Sequence, residues 1–189
     1  MVVERRERHS LGAIFPRRFT MNASAHFPRV AGKSLDGTHF ELPRGFAGAI
    51  NIVIVAFRQE QQRDVNTWMP WLKMLVRGHD SVRIYELPTI SRGFAMMRGF
   101  ITSGMRHDAA DQTARARTIT LFVDKRSFRD ALGLPDEECI YVLLVDRRGR
   151  IYDCQEGRFT PEAADAIEHH LTAITQRFQT TVSVSTNGR

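Results

Sequence analysis

The segment Ile50 to Phe57, INIVIVAF, is apolar and β-branched almost throughout. A strand with one wet face alternates apolar and polar residues, whereas a run like this reads as a strand covered on both faces. Polar RQEQQRD follows at 58–64, and then Val65, Trp68, Met69, Leu72, Leu75 and Val76 recur at helical spacing until Gly78 closes the helix. Pro70 lies inside that helix, where its ring removes one backbone bond. Val82 to Leu87, VRIYEL, is a second strand that ends at Pro88. A buried strand, a helix and another strand form a parallel crossover, so the chain is committed to a sheet layered with helices.

The remaining segments fit this frame. Thr38 to Leu42 reads as a short strand after turn signals at Gly32-Lys33 and Asp36-Gly37. Phe94, Met97, Ile101 and Met105 line one face of a second helix, which Gly93, Gly99 and Gly104 weaken. TITLFV at 118–123 is a third buried strand, followed by a short helix RSFRDAL. IYVLLVD at 140–146 and Ile151 to Cys154 form a hairpin turning at Gly149. Thr160 caps a last helix that opens on Pro161 and buries Ile167, Leu171, Ile174 and Phe178. The expected class is α/β, a three-layer sandwich whose mixed central sheet has helices on both faces.

At 189 residues the chain is one domain with tails. With 42% hydrophobic and 25% charged residues it is neither a disordered chain, a collagen repeat nor a coiled coil. Residues 1–26 carry five arginines against two acids, half of the +6 net charge, and lack the apolar stretch of a secretory signal. They are expected to be a disordered leader, or a misassigned start ahead of Met21. The ordered domain then spans 27–178, with a flexible tail at 179–189. Arginines scatter along the body instead of forming a phosphate track, so no nucleic-acid partner is expected. No run is long enough for an integral membrane segment. Two cysteines do not build a secreted disulfide scaffold, and the expected location is cytoplasmic.

Three segments carry a family likeness. GKSLDGTHFELP, then TLFVDKRSFRDALGL, then VLLVDRRGRI with EGRFTPEAADAIEHHL, resemble in order and spacing the thioredoxin-like superfamily, in its peroxiredoxin and thiol-reductase branch. The likeness covers roughly Val30 to Leu171. The half from Thr118 to Ile151 is also similar to the thioredoxin-like chaperone family that assembles the membrane sector of mitochondrial ATP synthase, which implies a non-redox assembly role and a protein partner. In redox members of the branch, the first catalytic Cys follows the aromatic end of the first strand by five positions. The second lies three beyond, and a helix Pro five after that. Counting from Phe57 and back from Pro70 both give Gln62, so Gln62-Arg63-Asp64-Val65 stands where the resemblance implies Cys-x-x-Cys. The position of the family's cis-Pro holds Ile140.

Thiol exchange needs a thiolate, stabilised at a helix N-terminus. Gln and Val supply none. The expected function is therefore that of a redox-inactive binding protein, an assembly or chaperone-like factor, with no cofactor and no metal site. The alternative is a thiol peroxidase or reductase using Cys139, which the resemblance puts beside the substrate loop. Cys139 and Cys154 lie too far apart across the hairpin to bridge. Arg58, Gln62, Arg63, Asp64 and Trp68 cluster at the start of the first helix as a candidate binding site for an acidic peptide or small anion. The plainer reading has Asp64 capping the helix while both arginines face water. Met96 and Phe100 fall beside the stripe of the second helix, within a Met/Phe-rich stretch with Arg92, Arg98 and Arg106. Such a surface grips hydrophobic partners. The seven histidines show no metal-ligand spacing.

Overall fold

The computed structural model describes residues 26–108 and 111–186, with residues 98, 100, 106–108 and 177–186 described by backbone alone. Apart from His26, the expected leader lies outside the described residues, as do residues 187–189.

Seven strands form one sheet in the order β2-β1-β5-β4-β3-β6-β7. They are β1 (Val30–Ser34), β2 (His39–Leu42), β3 (Ile50–Ala56), β4 (Val82–Ser91), β5 (Ile119–Val123), β6 (Tyr141–Asp146) and β7 (Ile151–Glu156). The helices are α1 (Gln62–Arg77), α2 (Arg98–Asp108), α3 (Gln112–Arg117), α4 (Lys125–Leu132) and α5 (Pro161–Thr186). β3, β4 and β5 are parallel, and every other pairing is antiparallel. This is the mixed sheet expected from a crossover followed by a closing hairpin.

β3 is apolar throughout because both of its faces are covered. Val53 and Val55 join Phe27, Leu42, Phe46, Leu121, Phe128 and Leu143 in one core. Ile50, Ile52 and Ile54 join Trp68 and Leu72 of α1, Ile167 and Leu171 of α5, and Ile140, Val142 and Leu144 in the other. Each fully buried Leu, Ile or Val contributes about 1.5–3 kcal/mol, so the two cores supply most of the driving force. α4 takes its first turn from Asp124, whose carboxylate accepts from Ser127 N–H at 2.7 Å, and ends at Gly133 in the left-handed region at φ 70°. Thr160 Oγ1 accepts from Ala163 N–H at 3.2 Å, the cap expected for α5. Leu143 pairs with Cys154 as expected. The ladder then slips by one residue, because Leu144 pairs with Asp153 and Val145 with Ile151, leaving Tyr152 as the extra residue of a bulge. Among the described residues, no helix is long and apolar enough to cross a membrane.

Several boundaries differ from the sequence reading. Gly32-Lys33 is not a turn but the centre of β1. A Cβ on Gly32 would fall 2.6 Å from Ile119 Cγ2, so glycine is there to let β5 pack close. β4 does not end at Pro88. It runs on to Ser91, exchanging its partner β3 for β5 beyond the proline. α3 went unread because QTARAR carries no apolar period. Phe94 and Met97 lie in a 3-10 segment, Arg92–Met97, ahead of α2, and are more than half exposed. The α-helical spacing that would have buried them does not hold there. α5 continues past Phe178 to Thr186.

Candidate functional site

β3, an inner strand between β4 and β6, ends at Ala56. Phe57 and Arg58 lead through a 3-10 turn, Gln59–Gln61, into α1, whose first residue is Gln62. Val65, one turn on, is buried, while Gln62 and Arg63 are exposed. The two positions singled out by counting therefore stand at the start of the helix that follows the first long inner strand.

The side chain that organises this corner is Gln61, which the sequence reading passed over. It is 4% exposed. Its Oε1 accepts from Phe57 N–H at 2.8 Å and Arg58 N–H at 3.2 Å, and its Nε2 donates to the Glu137 carbonyl at 2.8 Å. The amide thus fastens the start of α1 to the loop before β6. That loop also neutralises the site. Arg58 forms a two-pronged ion pair with Glu138, Nη1 to Oε2 at 2.9 Å, which holds the guanidinium pKa above its ordinary value. Lys125 Nζ donates to the Phe57 carbonyl at 2.6 Å and lies 3.6 Å from Glu137. Arg58 therefore does not simply face water. Two cations of this corner, Arg58 and Lys125, already meet carboxylates of the chain, which weakens the case for a small-anion site.

The other expected residues divide between surface and core. Asp64 does not cap α1, which has no side-chain cap; it sits in the first turn, 4.0 Å from Arg158. Arg63 Nε reaches the Glu60 carbonyl at 3.5 Å. Trp68 is wholly buried, packs edge-on against Trp71 and Phe159, and donates from Nε1 to the Gly157 carbonyl at 3.0 Å. Ile140 is wholly buried in the same core, one residue ahead of β6. Behind Gln62 lies a charged pair that the sequence did not reveal. Gln62 Nε2 is 3.4 Å from Glu86 Oε2, and Glu86 Oε1 accepts from Arg117 Nε at 3.1 Å. The side chains of Glu86 and Arg117 are only 10% and 15% exposed.

Both cysteines are free thiols. Burial pushes the Cys139 thiol up to about 12, a hydrogen bond with Tyr141 pulls the other way, and the Glu156 and Asp136 carboxylates push it further up. Burial raises the Cys154 thiol as well, with Asp153 next in weight. The corner offers an amide, guanidinium and ammonium groups and carboxylates, which suit ionic and hydrogen-bonded docking. Cys139, the residue after Glu138, is a thiol whose pKa burial raises. Of the exposed large apolar side chains among the described residues, Phe94, Met96 and Met97, at 54%, 97% and 52%, share the 3-10 segment before α2, and Met74 lies on α1. Exposure of Met96 agrees with the sequence reading; the side chains of Arg98, Phe100 and Arg106 lie outside the described ones.

No protein-family model and no curated protein matches the chain. Solved structures do. A protein of Aquifex aeolicus VF5 is 10% identical, with a TM-score of 0.56 over 79% of this chain and 96% of its own. Yeast Sco1 is 13% identical, with a TM-score of 0.55 over 80% of this chain and 97% of its own. The exposed lipoprotein thioredoxin Etrx1 of Streptococcus pneumoniae is 13% identical, with a TM-score of 0.51 over 77% and 99%. The architecture is thioredoxin-like. At these identities the likeness defines the fold and leaves the chemistry to the side chains.

Proposed function

We infer that this chain is a thioredoxin-fold protein without thiol-disulfide activity, which acts by binding another protein as an assembly or chaperone-like factor. The observation that carries the reading is the first turn of α1, which holds Gln62 and Val65 where the resemblance to redox members implies two thiols. Only a thiolate attacks a disulfide. Thiols with pKa values raised as far as those of Cys139 and Cys154 are almost wholly protonated at neutral pH. The likeness of the second half to an assembly chaperone supports the non-redox role. So do the exposed Met96, Met97 and Phe94, because flexible thioethers adapt to varied apolar partners. Two unpaired thiols fit a cytoplasmic setting.

Insulin reduction with dithiothreitol as electron source tests the reading: the protein is expected to add nothing to the background rate, and steady turnover overturns it. The peroxidase alternative predicts peroxide consumption that disappears in Cys139→Ser. The raised Cys139 pKa argues for equal, slow reaction of both forms. Affinity capture from the native host, with the purified protein as bait, is expected to return a stoichiometric protein partner.

A further inference from the structure

A cavity of ≈ 490 Å³ opens between α2 and the outer half of the sheet, lined by residues of β1, β2, α2 and β5. Among the described residues none of its lining comes from α1 or from the loop before β6, so it is separate from the helix-start corner. Its origin lies in the sequence of α2. Over β3, β4 and β6 the layer is filled by the large apolar side chains of α1 and α5. Over β1 and β5 the layer is α2, which presents Gly99, Thr102 and Ser103. Met105 of the same helix covers Thr120, whose Oγ1 donates to its Sδ at 3.8 Å, while the small residues leave a groove open over Phe122 and Lys33. The space is open to solvent along Ala31, Lys33, His39 and Ser103, which are exposed, and its volume is that of a small-ligand pocket.

The lining also selects a charge. Lys33 and His39 supply nitrogen, Ser34, Thr102, Ser103 and Thr120 supply hydroxyls, and among the described residues no carboxylate lines the cavity. Phe122 and Ala31 give one apolar wall. We propose that this cavity binds a small amphipathic monocarboxylate, its carboxylate near Lys33 and His39 and its aliphatic body between Phe122 and the small residues of α2. Charge attraction from Lys33 sets the orientation, and burial of the aliphatic body supplies most of the affinity.

The probe is decanoate, titrated calorimetrically below its micellar range into the full-length protein, with decyltrimethylammonium as the control of opposite charge. Decanoate is expected to bind at one site and the cationic control not to bind. Lys33→Gln removes an exposed charge and is expected to weaken decanoate about fivefold. Gly99→Leu puts a side chain where a Cβ meets no atom within 4 Å, so the cavity is filled, binding is lost and helix propensity rises. Urea unfolding is expected to show this variant at least as stable as the parent, so that lost binding in it reports occupancy of the cavity. Absence of decanoate binding, equal binding of the cationic control, or unchanged binding in Gly99→Leu each overturns the proposal.

Discussion

Removal of the Gln61 amide gives a measurable account of how the start of α1 is held. Three backbone groups depend on this side chain: the Phe57 and Arg58 N–H groups and the Glu137 carbonyl. The Phe57 bond is buried, and the other two are partly open to water. A buried polar group left without a partner costs about 2 kcal/mol, and one that water reaches about 0.5 kcal/mol. Gln61→Ala is therefore expected to lose about 3 kcal/mol. Part of any alanine effect is lost packing, so Gln61→Met serves as the control, filling the space without supplying the bonds. If the bonds dominate, Met recovers less than about 1 kcal/mol of the loss. Urea unfolding, followed by fluorescence of the buried Trp68, measures both variants at constant slope. A loss under about 0.5 kcal/mol in Gln61→Ala, or full recovery by Met, would refute the bonding argument.

Two further outcomes follow from the same corner. Glu86→Ala alone strands Arg117 and is expected to cost about 3 kcal/mol, whereas Glu86→Leu with Arg117→Met is nearly neutral; a double-mutant cycle in denaturant checks the coupling, and additive effects would contradict it. Gln62→Cys with Val65→Cys places two thiols three residues apart on one helix turn, within reach of a disulfide, and is expected to reduce insulin faster than the natural chain does. The Glu86 carboxylate, 3.4 Å from the present Gln62 amide, opposes a thiolate at 62, so adding Glu86→Gln should lower that thiol's pKa in an alkylation titration.

The apolar run of β3 was sufficient to read the layered fold, because only a strand covered on both faces tolerates Val53 and Val55 on one side and Ile50, Ile52 and Ile54 on the other. β1 was hidden by Gly32-Lys33, which has the composition of a turn but is a strand centre where Ile119 and Leu121 take the place of a side chain. Pro88 suggested a strand end; in the sheet it marks the point where β4 exchanges one parallel partner for another. Gln62 and Val65 could be placed by counting, since both lie a fixed number of residues from Phe57 and Pro70. Gln61 could not. In the polar stretch RQEQQRD nothing distinguishes the buried glutamine from its exposed neighbours. Its partner at Glu137, and those of Arg58 and Glu86 at Glu138 and Arg117, lie 31 to 80 residues away in sequence.

A chain that acts without sulfur chemistry needs its thiols to be poor nucleophiles, and the pH dependence of thiol alkylation measures that directly. Burial holds the Cys139 thiol near 12, so its thiolate fraction should climb about tenfold per pH unit from pH 6 to 10 without levelling off. Iodoacetamide labelling read by intact mass, with Cys139→Ser assigning the site, should show that steady rise and very slow modification at pH 7. A rate at Cys139 that reaches its plateau below pH 8 would reveal a stabilised thiolate and contradict the claim.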